Sequence, residues 1–373
     1  MRRAKQVLGV ALLLLAAAVA VVALTLSHDS ACAWPPPPPG ATPAMQAFVR
    51  GCYGSAEVLR LARVEKPAPR DGEVLVEVHA AALNPLDWHY MTGTPYVMRL
   101  EAGIGRPQSD RLGVDFAGRV AAVGRGVTRF RPGDEVFGSR WGAFAEFVRA
   151  PERGALVSKP PGLSFAQAAA VPVAGVTALQ ALRDKARLRA GQRVLVNGAS
   201  GGVGTFAVQI AKASGAEVTG VCSTRNVALV RSLGADHVID YTREDFTRGG
   251  RHYDVIVDTI GNHSLLELRR VLQPDGVHVM VGGPRDDPWL GPLLGFLKGP
   301  LLSRLVSQRF VVLLADMNEA DLVVLSDLMQ AGKVTPVIDR RYPLAELPAA
   351  MRYLETRRAR GKVIVEVQPD EAG

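Results

Sequence analysis

The stretch VLVNGASGGVGTFAVQIAKASG, residues 194–215, narrows the choice of fold more than any other part of this 373-residue chain. An apolar strand enters a turn holding Gly201, Gly202 and Gly204, and a helix follows at once. The alternation then repeats: EVTGVCS, HVIDY, YDVIVDTIG and GVHVMVGG read as strands, with NVALVRSLG and SLLELRRVLQPDG as helices among them. Nearly continuous apolar strands are buried on both faces, so the helices lie on the two sides of a parallel sheet.

The first turn of such a unit is where a pyrophosphate can approach. Glycine lets the backbone turn tightly, and the free N–H groups and dipole at a helix N-terminus favour the negative charge. The candidate contacts are Ala199, Ser200, Gly201, Gly202, Val203 and Gly204, with Ala199 standing at the first glycine of the G-x-G-x-x-G register. A plain turn can also be glycine-rich, but the strand before it and the helix after it favour dinucleotide binding. The strand EVTGVC ends where an adenosine ribose is read. An acid there suits NAD; Cys222, Ser223, Thr224 and Arg225 carry none. Two hydroxyls and a guanidinium accept a 2′-phosphate, so NADPH is the expected cofactor, read by Ser223, Thr224 and Arg225. A Ser/Thr cap on a helix starting at Asn226 is compatible with that role.

From Met45 the texture is different. MQAFVRGCYG, GEVLVEVHAAAL, GVDFAGRVAAVG, GDEVFG and GAFAEFVRA are short β-like runs at close spacing, which predicts a compact barrel-like unit. Ahead of them, Arg2, Arg3 and Lys5 precede uncharged residues from Val7 to Leu26, about 30 Å as a helix and enough for a bilayer core. Residues 7–26 therefore predict membrane association. They read as a signal anchor, as a signal peptide cleaved near Ala31-Cys32-Ala33, or as an extension upstream of a start at Met45. Trp34 and Pro35 to Pro39 read as a stiff spacer. The net charge of +8 is spread along the chain, which gives nucleic-acid binding no support. Cys32, Cys52 and Cys222 are far apart, lack C-x-x-C spacing and read as thiols of a reducing compartment rather than a disulfide framework. The positive-inside rule sends the folded part outward, whereas NADPH and thiols belong to the cytosol. The expectation is a protein that is membrane-anchored or cytoplasmic, with its folded domains in the cytoplasm.

Six segments carry a resemblance: AAALNPLDWHYMTG, GVDFAGRVAAVGRGVTRFRPGDEVFG, AAAVPVAGVTALQAL, VLVNGASGGVGTFAVQIAKASGAEVTGVCS, LGADHVIDY and ARGKVIVEV. In order and content, residues 45 to about 368 resemble the zinc-free, quinone-oxidoreductase branch of the medium-chain dehydrogenase/reductase superfamily. The resemblance implies an α/β fold in which a GroES-like barrel-type catalytic domain, residues 45–168, is completed by residues 309–373. Between these parts it implies a Rossmann NADP-binding domain, 169–308, and before them lies the hydrophobic segment and Pro-rich linker, 1–44. It also implies an interdomain cleft, a homodimer, a contact from Tyr241 to the adenosine phosphate, and cofactor contacts from Arg360 and Lys362.

Zinc-dependent relatives place a Cys at the position of Asn84, a His-Glu pair at Val114-Asp115 and a further ligand near Ala174. These residues do not supply a tetrahedral donor set, and no metal is expected. Without a Lewis acid, reduction of a quinone or an activated, carbonyl-conjugated C=C bond is easier than oxidation of a simple alcohol, because donors suffice to hold an enolate or hydroquinone anion. The expected substrate is a small hydrophobic carbonyl or quinone. Asn84 is the candidate carbonyl orienter, Tyr96 or Tyr90 the proton donor, Asp87 an orienter and His89 a further candidate. Each has a plainer reading: Asn84-Pro85 as a turn, Asp87 as a helix cap, His89 as a partly exposed side chain. Alternative functions are a zinc-independent alcohol dehydrogenase-like enzyme and a membrane-tethered NADPH-binding accessory protein without turnover. The apolar, Gly/Pro-broken residues 289–306 read as a pocket lid, a subunit contact or a membrane contact.

Overall fold

The computed structural model describes residues 2–40, 42–283, 288–289 and 293–368, without the side chains of 2–5, 7–12 and 293–297. Strands β1 (Ala44–Val49) and β2 (Arg60–Glu65) form an antiparallel ribbon. Next come β3 (Glu73–Ala82), β4 (Asp115–Val123), β5 (Glu135–Ser139), β6 (Phe147–Pro151) and β7 (Leu156–Ser158). The chain then builds a second sheet from β8 (Arg193–Asn197), β9 (Glu217–Cys222), β10 (His237–Asp240), β11 (Tyr253–Asp258), β12 (Leu272–Met280) and β13 (Arg309–Val312). Finally β14 (Ile338–Pro343) and β15 (Lys362–Glu366) return to the first sheet, whose order is β14-β15-β3-β4-β5-β7 with β6 also paired to β3.

The second sheet is parallel throughout, in the order β10-β9-β8-β11-β12-β13. Val194, Leu195 and Val196 of β8 are wholly buried, as a central strand covered on both faces must be. The order reverses at β8, so a crevice opens beyond its carboxyl end, the place where open α/β sheets take ligands. Six helices matter below: α1 (Arg2–Ser27), α2 (Pro85–Thr92), α3 (Arg99–Ala102), α4 (Phe165–Ala169), α5 (Pro172–Gln180) and α6 (Gly202–Ala213). Ala166, Ala169, Ala174, Val176, Phe206 and Ile364 share one core, which joins α4, α5 and α6 to β15 of the first sheet and to the second sheet. A second core, including Val76, Phe116, Met91 and Leu347, lies within the catalytic lobe.

The N-terminal region departs from expectation. Cys32 and Cys52 are joined by a disulfide, with Cα atoms 4.6 Å apart, and only Cys222 is a free, buried thiol. Residues 28–34, ahead of the proline run, dock on the catalytic lobe, so Trp34 is a docked side chain rather than part of a free spacer. Ser30 N–H donates to Gly105 O (2.8 Å), Ala33 N–H to Gly51 O (3.0 Å), and the Arg60 guanidinium lies 3.8 Å from the Trp34 ring centre. The Ala33–Gly51 bond lays the chain beside Cys52, so 20 residues of sequence separation become a contact. Unpaired thiols were the ground for a reducing compartment, and for two of the three cysteines that ground is gone. Among the described residues, no helix is long and apolar enough to cross a membrane; part of the stretch 7–26 lies outside the described side chains.

Candidate functional site

The glycine turn is built as its sequence requires. Gly198 turns the chain at the end of β8 with φ of +85°, a conformation that favours glycine. A Cβ on Gly204 would stand 2.1 Å from Gly198 O, so no larger residue fits against the turn. Gly201 precedes the first turn of α6. The turn is also tied to the last strand: Gly361 N–H donates to Ser200 O at 2.9 Å. That bond sets Lys362 beneath the loop, where its Cδ would lie 3.3 Å from a Cβ on Gly202.

Lys362 is 3% exposed. A buried ammonium costs several kcal/mol unless it is paired, and its partners come from the cap of α2, just after β3, and the start of β4. Lys362 Nζ donates to Asn84 Oδ1 (2.6 Å) and to Asp115 Oδ2 (3.4 Å). Asn84 Nδ2 donates to Asp115 Oδ2 (2.9 Å), and Val173 N–H to Asp115 Oδ1 (3.1 Å). Asp87 takes Asn84 N–H on Oδ2 (2.8 Å) and Gly113 N–H on Oδ1 (3.1 Å). Pro85 opens α2, a position where proline's missing N–H is no loss. Burial pushes the Asp87 carboxyl up to about 7, raises that of Asp115 and lowers the Lys362 ammonium, with each opposite charge or N–H bond acting against the shift.

Asn84, Asp87 and Lys362 thus meet in one buried cluster, and the Asn84 amide is occupied by Lys362 and Asp115. The other candidates lie outside that cluster. His89, half-buried, places Nδ1 2.7 Å from Thr94 O. Tyr90 donates to Glu101 Oε1 at 3.4 Å and leans on Trp141. Tyr96 meets Trp289 edge to face at 5.0 Å, its N–H donates to Pro288 O at 2.7 Å, and the Arg99 guanidinium lies 4.7 Å from its ring centre. Tyr96 therefore stands on the seam between the catalytic lobe and the chain leaving β12. Of the 289–306 stretch, residues 290–292 lie outside the described residues.

Asp115, which completes the cluster, was not among the candidate residues. Its signal was present as a lone acid after Gly113-Val114, read only as part of an empty ligand pattern. A second network sits at the carboxyl ends of β8 and β11. Asn197 Nδ2 donates to Asp258 Oδ1 (2.9 Å), and Ile260 and Gly261 N–H donate to the same oxygen. Burial pushes Asp258 up, but His278 at 3.3 Å and these N–H groups outweigh it and hold the carboxyl below its usual range.

At the end of β9, where the candidate adenosine contacts lie, Asn226 Nδ2 bridges Ser200 Oγ (2.9 Å) and Ser223 Oγ (3.3 Å), joining the glycine turn to β9. Arg225 Nη2 donates to Arg358 O (2.7 Å). Tyr241 is 63% exposed just after β10, and Arg360 lies beside Asp339, whose carboxylate accepts its N–H at 2.9 Å. The absence of an acid after β9 is only part of the picture: Asp240 comes from the adjacent strand, opposite Cys222, and accepts the Thr224 hydroxyl at 2.5 Å. That hydroxyl keeps the Asp240 carboxyl below its ordinary range. A reading along β9 alone cannot see a neighbour supplied by sheet register.

Comparisons with known proteins fit this architecture. Residues 70–161 match the alcohol dehydrogenase GroES-like domain, and residues 233–365 match the zinc-binding dehydrogenase family. The chain is 34% identical to the chloroplast envelope quinone oxidoreductase homolog of Arabidopsis thaliana, over 86% of this chain and 98% of the relative. It is also 34% identical to the NADPH-dependent alkenal/one oxidoreductase of the same plant, over 86% and 79%. The quinone oxidoreductase structure from Coxiella burnetii superimposes with a TM-score of 0.76 at 31% identity, covering 87% of this chain and all of that one. The chain belongs to the quinone oxidoreductase-like branch of the medium-chain dehydrogenase/reductase superfamily, and is an NAD(P)H-dependent oxidoreductase.

Proposed function

We propose that this protein is an NADPH-dependent reductase delivering hydride to a quinone or a carbonyl-conjugated C=C bond without a metal. The carrying observation is the buried Lys362 ammonium between Asn84 and Asp115. Asn84 stands where zinc-dependent relatives have a thiolate, Val114 and Ala174 offer no side-chain donor, and a cation already fills the space between the polar groups. Such residues do not fit a zinc ion. Among the described residues there is no group of three His, Cys, Asp or Glu side chains that could hold one.

NADPH, when bound, supplies the hydride. The backbone from Ala199 to Gly204, with Gly202 and Val203 in the first turn of α6, receives the pyrophosphate, while Ser223 and Arg225 read the 2′-phosphate beside Thr224, whose hydroxyl is held by Asp240, with Tyr241 and Arg360 at the rim. Lys362, its charge balanced by Asp115 and its ammonium held by Asn84, ties β15 and the glycine turn to the ends of the strands that carry the catalytic lobe, and so fixes the floor on which cofactor and acceptor are positioned. Asp87 fixes the Asn84 backbone. Tyr96 on the seam supplies the proton, and His89 braces the loop that carries it through Thr94 O.

The test is NADPH oxidation against a panel of quinones and enones, with and without a chelator. Turnover on these acceptors, untouched by chelation, is the expected result; chelator-sensitive oxidation of simple alcohols overturns it. Tryptophan quenching by NADPH with no turnover on any acceptor favours the accessory-protein reading instead.

A further inference from the structure

Helix α1 presents an uncovered apolar surface on every side over residues 13–22. Every residue from Leu13 to Val22 is exposed, on all sides of the helix, with Leu13 at 71% and Val22 at 56%. A partner helix or sheet covers one stripe; a helix apolar all round needs an apolar medium. The basic residues Arg2, Arg3 and Lys5 at its start suit anionic lipid headgroups.

The far end of α1 is not a free tether. Arg99, 2% exposed, donates Nη1 to Leu26 O (3.0 Å) and His28 O (3.1 Å) and pairs with Asp29 at 2.9 Å. Its Nε donates to Gly93 O (2.9 Å), and its guanidinium lies against the Tyr96 ring. The end of α1 packs on the turn Tyr96–Met98. Cys32–Cys52 latches the strap a few residues on. Leu100 and Ile104, 64% and 52% exposed, lie in the segment leading to the strap's contact at Gly105. Cleavage after Ala33 would remove Cys32 and three partners of a buried arginine, so the strap favours an intact N-terminus.

We propose that α1 lies in a lipid bilayer and that residues 26–34 hold the Tyr96–Trp289 seam against the membrane surface. The substrate is then a lipophilic acceptor, a quinone or enone with a long hydrocarbon tail, entering the cleft from the bilayer. The inference rests on the reductase reading, and it requires α1 to be seated in lipid, not any particular depth.

The experiment uses the full chain with vesicles of phosphatidylcholine and phosphatidylglycerol, NADPH, and two acceptors: a water-soluble short-chain quinone and a vesicle-borne isoprenoid quinone. The protein floats with the vesicles. Replacing Cys32 and Cys52 by Ser lowers the rate on the isoprenoid quinone about tenfold through lost local concentration, and the short-chain rate less than about twofold. Equal effects on both acceptors, or protein left in the aqueous phase, overturn the proposal. Absence of turnover on both quinones and on short-chain and long-chain enones overturns the reductase reading instead, and brominated-lipid quenching then decides the membrane contact. A quenched component lost in Trp289→Phe supports a seam at the bilayer; its absence removes that claim.

Discussion

The ammonium of Lys362 lies 2.6 Å from the amide oxygen of Asn84, although 278 residues separate them in the chain. The bond is possible because β15 returns from the far side of the Rossmann unit to pair with β3. Removing one partner of a buried ion pair leaves the other uncompensated, at about 3–5 kcal/mol. Lys362→Met should therefore lower unfolding stability by about that amount, measured by urea denaturation. Lys362→Met combined with Asp115→Asn should recover part of it. A single variant as stable as the wild type would remove the pair from the fold's supports.

Asp87 gives the protein a pH signature. Burial raises its carboxyl from 3.8 unfolded to about 7 in the fold, so between these values the folded state binds the extra proton. Stability from this group is full below about pH 4 and is lost as pH rises through 7. Asp87→Asn cancels that dependence while sacrificing a bond to Asn84 N–H or Gly113 N–H. The stability of the wild type relative to Asp87→Asn should fall from pH 4 to pH 7, followed by denaturant unfolding at several pH values. A difference that is flat or grows with pH would contradict the raised carboxyl.

Local patterns carried the doubly wound sheet. The buried run of β8 and the glycines after it state their own surroundings, since Gly204 has no room for a Cβ and β8 no exposed face. What stayed hidden came from pairing between distant segments. Asp240 reaches Thr224 only through the register of β10 on β9, Lys362 reaches Asn84 only after the chain returns, and Cys32 meets Cys52 only because Ala33 bonds to Gly51. Each residue was visible as a letter; none of its partners was within the window that periodicity can read.

The adenosine end yields a cofactor test. Arg225 is exposed and spends one nitrogen on Arg358 O, leaving the rest of its guanidinium for a 2′-phosphate. A charge-assisted hydrogen bond is worth about 1.5–3 kcal/mol, so Arg225→Asp should weaken NADPH binding by about tenfold or more and NADH binding by less than about twofold. Titration of both cofactors by tryptophan quenching reads the difference. Equal losses would assign Arg225 to the fold rather than to the phosphate.

The Cys32–Cys52 bridge closes a loop across 20 positions of the chain, binding the strap to the lobe that carries Arg99 and Tyr96. A closed loop of this size restricts the unfolded chain and typically adds about 2–4 kcal/mol. The double Cys32→Ser and Cys52→Ser variant should be less stable by that order, and dithiothreitol should lower the wild type towards the variant without affecting the variant itself. Deleting residues 1–44 should cost more than either, because Arg99 loses Leu26 O, His28 O and Asp29 together and becomes a buried cation with only Gly93 O left among those acceptors. Thiol counting checks the starting point independently. The oxidised chain should release one reactive thiol on unfolding, that of Cys222, and three after reduction. Three thiols in protein isolated under non-reducing conditions would show that the bridge does not form, and the strap would then have to hold through Arg99 alone.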